Sequence, residues 1–221
     1  MLTSAQRMME YAKMETEDEL EKENDPKDFP GTADIYFKDV HMRYQPHLPK
    51  VLKGLTYHVK HGEKVGIIGR TGAGKSSIMQ AIFRLVEIEA GSQIIIGGED
   101  SKDIGLHCLR NAISFIPQSP FLISSTVRAN LDPFDTYSDE ELLEVLNEVQ
   151  LKDYVDNLKD GLKTEVTDQN IFSVGQKQLI CLARAILRKS KILVLDEATA
   201  NVDIETDSLI QRAIRDKFKE C

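Results

Sequence analysis

Residues 64–77 read K-V-G-I-I-G-R-T-G-A-G-K-S-S. The apolar run Val65 to Ile68 has the length and character of a short buried strand, and Gly69, lacking a Cβ, lets the chain turn back at its end. The loop that follows has the spacing G-x-x-x-x-G-K-S. Glycines at 69, 72 and 74 allow successive backbone N–H groups to face inward as a concave nest for phosphate oxygens, with Arg70, Thr71 and Ala73 supplying the intervening amides. Lys75 adds a point charge suited to β- and γ-phosphates. Ser76 offers a hydroxyl to Mg²⁺, Ser77 extends the turn, and a helix starting there aims its free amides and positive dipole end at the same anion. Ile78, Ala81, Ile82 and Leu85 continue at helical spacing, so a strand, loop and helix are expected in that order.

The surrounding chain has the composition of a folded domain with attachments. Its 221 residues are 41% hydrophobic and 29% charged, and no run approaches the ~18 apolar residues of a membrane span. MLTSAQRMME at the start lacks an apolar h-region, so no secretory signal is expected. Cys108, Cys181 and Cys221 are odd in number and widely separated, which suits free thiols. Five histidines, at 41, 47, 58, 61 and 107, show no metal-ligand spacing. The net charge of −8 argues against a nucleic-acid partner. Much of it lies in Glu15 to Asp25, seven acidic residues against Lys22, which reads as a solvated linker. Thr3 to Met14 ahead of it reads as a loose tail or a short helix with a narrow apolar edge, Leu2, Met9 and Ala12 or Tyr11 and Met14. Residues 1–33 are thus expected to form an acidic leader before the folded unit.

From Asp34 onward the pattern turns to short strands. Ile35, Phe37 and Val40, then Leu55, Tyr57 and Val59, predict a small antiparallel sheet. Tyr44, 31 residues before Lys75, lies near the end of the first of these strands, where its ring is able to stack on a base; a half-buried strand tyrosine fits the spacing as well. Ile94 to Ile96 is a hairpin-like segment between Gly91 and Gly97-Gly98. Ala112 to Ile116 is a strand ended by Pro117, and Gln118 directly after it carries a carboxamide at the edge where ligands collect in an open α/β sheet. Residues 119–172 then change character: Asp139, Glu140 and Glu141 acidify the start of an amphipathic helix with Leu142, Leu143, Val145, Leu146 and Val149, and a second helix is expected around Tyr154 to Leu158. This inserted helical subdomain is either plain core or a docking face for a partner.

A second decisive stretch is Lys191 to Glu197, KILVLDE. Ile192 to Leu195 has the fully apolar character of a strand at the centre of a parallel sheet. Asp196 at its end suits a Mg²⁺ ion, and Glu197 suits a general base for an attacking water. Between the two stretches stands IFSVGQKQL, residues 171–179. Ser173, Gly175 and Gln176 open a helix whose stripe is Leu179, Leu182, Ala183 and Ile186. This is a second anion site at a helix N-terminus, and it suggests a phosphate held by another chain or domain.

In combination GRTGAGKS (69–76), Gln118, FSVGQ (172–176), ILVLDE (192–197) and ATANVD (198–203) resemble the nucleotide-binding domain of an ATP-binding-cassette (ABC) transporter. The S-V-G-Q and D-E-A-T-A-N-V-D forms are similar to the second such domain of the multidrug-resistance-associated C subfamily. The resemblance covers residues 34–221 and implies an α/β fold: a RecA-like P-loop NTPase core, an antiparallel β subdomain and an inserted α-helical subdomain. It also implies ATP and Mg²⁺ as cofactors. Tyr44 then matches the aromatic that stacks on adenine, and residues 69–77 match the phosphate loop. Ser76, Gln118 and Asp196 match the metal-binding groups, and Glu197 the catalytic base. Ser173, Val174, Gly175 and Gln176 match the signature that closes over ATP bound to a second nucleotide-binding domain, while Ala200, Asn201 and Asp203 match a loop that communicates across that pseudo-dimer. The leader resembles the connector from a last transmembrane helix, and residues 116–130 the surface that receives a coupling helix of the transmembrane domains. The implied location is the cytoplasmic face of a membrane, within an exporter of organic anions or drugs.

Two departures qualify the resemblance. Val174 stands where many cassettes carry glycine, which in this subfamily accompanies one weakly hydrolysing site. Family members also carry a switch histidine roughly 30 residues beyond the catalytic glutamate, whereas this sequence ends 24 residues past Glu197 with no histidine after His107. The expectation is therefore a domain truncated before that histidine, able to bind Mg-ATP and hydrolysing it weakly. A regulatory nucleotide sensor with little hydrolysis is the alternative, and a non-transport cassette ATPase is the third function class.

Overall fold

The computed structural model describes residues 2–14, 16–167 and 171–221. Glu15 of the acidic run, residues 168–170 of the expected helical insertion and the Leu2 side chain lie outside the described parts. The chain is mixed α/β, with two sheets among the described residues.

The first sheet is antiparallel. Strand β1 (Ile35–Met42) lies between β2 (Leu52–Val59) and β3 (Gln93–Ile96), and β4 (Glu99–Asp100) closes the edge beyond β3. Phe37 and Val40 are three residues apart, which in a regular strand puts them on opposite faces. Both are buried, because a bulge intervenes: Phe37 pairs with Tyr57 and Val40 with Leu55, so one extra residue is taken up on β1. Asp39 carries the turn at φ 47°. Directly afterwards β2 takes up an extra residue at Gly54, φ 86°, where a Cβ would stand 3.0 Å from Asp39 Oδ1.

The second sheet is parallel and has two strands, β5 (Ile113–Ile116) and β6 (Ile192–Leu195), paired Ile113 to Ile192 through Ile116 to Leu195. Here the expectations fail in part. Val65 to Ile68 forms no strand among the described residues, and Ile67 and Ile68 are 52% and 99% exposed. For the same reason β6 is an edge strand: among the described residues its pairing is to β5 alone, and Leu195 is 40% exposed. An extended segment without a neighbour has no partner for its amides and carbonyls and cannot bury both faces. Instead a cleft of about 660 Å³ separates residues 64–67 from β6, lined by Phe37, Leu55, Ile78, Val194 and Ile214 among others.

Among the described residues two hydrophobic cores result. One joins the inner face of β1, β2 and β3 to α2 (Lys75–Ile82), α3 (Leu106–Asn111) and the starts of β5 and β6. The other gathers α4 (Val127–Leu131), α5 (Asp139–Glu148), α6 (Lys152–Asp156), α7 (Val174–Arg188) and α8 (Ile204–Lys217) around Leu142, Leu146, Ile180 and Leu182. The starts of α5 and α7 are set by capping boxes, Ser138 with Glu141 and Ser173 with Gln176, each satisfying two otherwise free helix amides.

In the N-terminal region the short-helix alternative holds, and the acidic run departs from the solvated linker expected of it. Residues Leu2–Ala12 form α1, a helix favoured by the straight-chain run Gln6 to Glu10, although Met8, Met9 and Tyr11 stay exposed. The acidic run beyond it is strapped to the domain. Glu17 accepts a bidentate pair from Arg110, and Asp18 accepts from Arg84 Nη2 at 3.0 Å. Asp25 Oδ1 accepts from Gly105 N at 2.7 Å, and the amides of Leu106 and His107 donate to the carbonyls of Glu19 and Leu20. The strap therefore takes up the free amides at the start of α3. Charge density alone reads as solvation because the matching cations, Arg84 and Arg110, lie more than 60 residues away.

Candidate nucleotide site

The site forms where α2 begins and where β5 and β6 end. Gly72 and Gly74 take left-handed conformations, φ 78° and 94°, and Gly74 is the N-cap of α2. Gly69 is not the left-handed residue that its place in the loop suggests: it is kept small by Ala73, whose Cβ a side chain there would approach to 3.2 Å. Ala73 N donates to Arg70 O, closing the loop. Residues Gly69 to Ala73, with Arg70 and Thr71 among them, are exposed, so the loop lies open to an anion from solvent. Tyr44 stands two residues past β1, half in solvent, and its hydroxyl lies 2.9 Å from Oγ of buried Ser77. Its ring thus borders the start of α2.

The parallel register of β5 and β6 brings their C-terminal ends side by side, and Asp196 N extends the ladder by donating to Ile116 O. Gln118 and Glu197 are thereby neighbours despite 79 residues of separation: Gln118 Nε2 donates to Glu197 Oε2 at 3.0 Å. Lys75 Nζ donates to Gly69 O at 2.8 Å and lies 3.4 Å from Glu197 Oε1. Ser76 Oγ reaches Asp196 Oδ2 at 3.4 Å. Five of the expected site residues thus converge, and Gln118 faces Glu197 in this arrangement. Glu197 itself adopts φ 42°, a conformation uncommon for a residue with a Cβ and concentrated at functional positions. Ser76, Asp196 and the Gln118 carboxamide offer the hard oxygen atoms that Mg²⁺ takes.

Ser173, Val174, Gly175 and Gln176 stand apart from this cluster, at the start of α7. Ser173 Oγ accepts from Gln176 N, and Gln176 Oε1 accepts from Ser173 N. Val174 is half exposed. Gly175 is buried against the start of α8: a Cβ there would meet Thr206 Oγ1 at 3.1 Å. Asp203 caps α8 through the Thr206 amide and hydroxyl, which hold its carboxyl below the usual carboxylate range.

Three further polar residues hold the segment after β5, and residue-type reasoning passed over them. Gln178 Nε2 donates to Pro117 O at 2.9 Å. Arg184, pulled below its ordinary pKa by burial, donates to Phe121 O and to Asn130 Oδ1. Asn130 in turn binds the amide and the carbonyl of Ile123. A signal was present at 178, since that position is four before Leu182 and so falls on the buried stripe of the helix.

A phosphate-sized glycine loop at a helix N-terminus, facing two carboxylates at the end of a parallel strand, defines a P-loop nucleoside-triphosphate-binding protein. The family described as ABC transporter matches residues 52–200. The chain belongs to the ABC transporter family. Over its whole length it is 51% identical to ATP-binding cassette sub-family C member 2 of Rattus norvegicus, covering 14% of that protein. It is 50% identical to a probable multidrug resistance-associated protein of Drosophila melanogaster, of which it covers 16%. With sub-family C member 4 of Homo sapiens the identity is 50% and the coverage 17%. The chain therefore spans about one sixth of the length of these relatives.

Proposed function

We propose that this chain is the ATP-binding and ATP-hydrolysing domain of a C-subfamily exporter, in which hydrolysis drives organic anions or drugs across a membrane. The observation that carries this is the convergence of Lys75 and Gln118 on the two oxygens of Glu197, beside the Ser76 to Asp196 contact. Residues 69–77 bind the phosphates, and Tyr44 stacks on the base. Ser76, Asp196 and Gln118 would hold Mg²⁺, which when bound would offset the charge that builds on a phosphoryl group in transfer. Lys75 is shared between Gly69 O and Glu197; a γ-phosphate competes for it and leaves Glu197 to a water. Glu197 accepts that water's proton as its oxygen attacks phosphorus and the bond to the ADP oxygen breaks.

The finer architecture belongs to the same proposal. Residues 1–33 are the leader and 34–221 a RecA-like nucleotide-binding unit with an antiparallel β subdomain and a helical subdomain over 119–172, of the kind found second in C-subfamily exporters. Ser173 to Gln176 close over ATP held by a second nucleotide-binding domain, and residues 116–130 receive the transmembrane domains at the cytoplasmic face. Among the described residues no helix is long and apolar enough to cross a membrane, and the exposed Phe121 and Ile123 beside Gln118 supply apolar contact area for such docking. The name of the Drosophila relative, a probable multidrug resistance-associated protein, favours drugs as cargo.

The test is phosphate release at saturating Mg-ATP by membranes carrying the chain within the longer transporter, with Glu197→Gln beside it. Release is expected to fall at least 100-fold in Glu197→Gln while ATP still binds, as loss of a general base requires. Unchanged release in the variant contradicts the assignment.

A further inference from the structure

Gln178 lies on the buried face of α7, 1% exposed, with Leu179 and Ile180 beside it and Leu182 one turn on. A carboxamide there is costly, and one of its two polar atoms is left unsatisfied: Oε1 has no partner. An aliphatic side chain would fill this face without that cost. What the glutamine adds is the bond from Nε2 to Pro117 O, which fixes the peptide leading directly into Gln118. Gln118 is exposed, and its bond goes to Glu197. On the far side, Arg184 from the same helix holds Phe121 O. Helix α7 thus grips the main chain before and after the residue that touches the carboxylate.

We propose that Gln178 is a positioning residue: through Pro117 it transmits the placement of α7, whose first turn carries Ser173 to Gln176, to Gln118 and so to Glu197. This rests on the assignment of Glu197 and Gln118 to the nucleotide site. A shift of α7 caused by engagement of its N-terminus then moves Gln118 on Glu197.

The test uses the full 221-residue chain. Gln178→Met keeps side-chain length and removes the donor, and Gln178→Glu keeps the shape and donates to Pro117 O only when protonated. The chain has no tryptophan, so Phe121→Trp gives a single reporter three residues past Gln118. Adding Gln178→Met to the reporter is expected to lower its steady-state anisotropy; an unchanged value overturns the proposal, whether or not the chain binds nucleotide. In phosphate release, Gln178→Met is expected to slow turnover about tenfold, the effect of one buried hydrogen bond, with ATP affinity kept within about twofold. In a Gln118→Ala background it should subtract nothing more, and additive losses overturn the proposal. Should Gln178→Met not fold, Gln178→Glu decides: its turnover relative to the unmodified chain rises as pH falls, and a pH-independent ratio contradicts the role. An unmodified chain without affinity for Mg-ATP defeats the nucleotide assignment instead, and leaves the reporter to decide whether Gln178 holds the loop.

Discussion

Glu197 is left-handed, exposed, and divided between a lysine from the glycine loop and a carboxamide from the neighbouring strand end. Its place one residue after Asp196 was legible because two carboxylates ending an apolar run have few structural uses. The contact with Gln118 was not, since it depends on the β5 to β6 register, a long-range fact absent from local spacing. The same split applies to Ser173 and Gln176. Their spacing, S-x-x-Q, is that of a capping box, and the structure engages both side chains with each other's backbone. Ser173→Ala is therefore expected to cost the isolated chain about 1 kcal/mol, seen as a lower denaturant midpoint at constant slope. An unchanged midpoint would mean that the cap is not formed.

At the level of elements, a capped amphipathic run such as Asp139–Glu148 was readable because it carries its boundaries in its own residues. The acidic strap was not readable, since its order comes from Arg84, Arg110 and the α3 amides. Gly105 shows how closely it lies: a Cβ there would stand 2.5 Å from Asp25 Oδ2 and 2.8 Å from Leu20 O. Gly105→Ala is expected to lift the strap, measured as faster hydrogen exchange at the Leu106 and His107 amides. Acid should act similarly. The Asp18 carboxyl is held well below its usual range by Lys22 and by Arg84, Glu17 is lowered by Arg110, and Asp25 by the Gly105 amide. Carboxylates with depressed folded-state values contribute their full stabilisation above the unfolded values of about 4. That contribution falls away as pH drops from there through the folded values, so protection of residues 106 and 107 should be flat from pH 8 to 5 and decline below about 4. A decline centred near neutral pH would point to histidine instead.

For the whole molecule, the loop and the helix after it were legible from G-x-x-x-x-G-K-S, whereas the strand before it was not formed. A strand needs a neighbour, and the apolar character of Val65 to Ile68 says nothing about whether one is present. The consequence is an open edge on β6 and a cleft of about 660 Å³ lined by apolar side chains. A chain of 221 residues with a fully formed interior unfolds with roughly 150 kcal/mol of enthalpy near 60 °C. This chain is expected to show clearly less in calorimetry, with a broad transition. A single sharp transition at the full value would mean that residues 65–68 are paired in solution.

The central claim is that residues 69–77 form a nucleotide cradle completed by Lys75. Titration calorimetry of the chain with Mg-ATP, beside Lys75→Ala, tests it most directly. Measurable affinity that falls at least about 30-fold in the variant, in keeping with the lost charge-assisted contacts, is the predicted result. Equal affinity in the two proteins, or none in either, would contradict it.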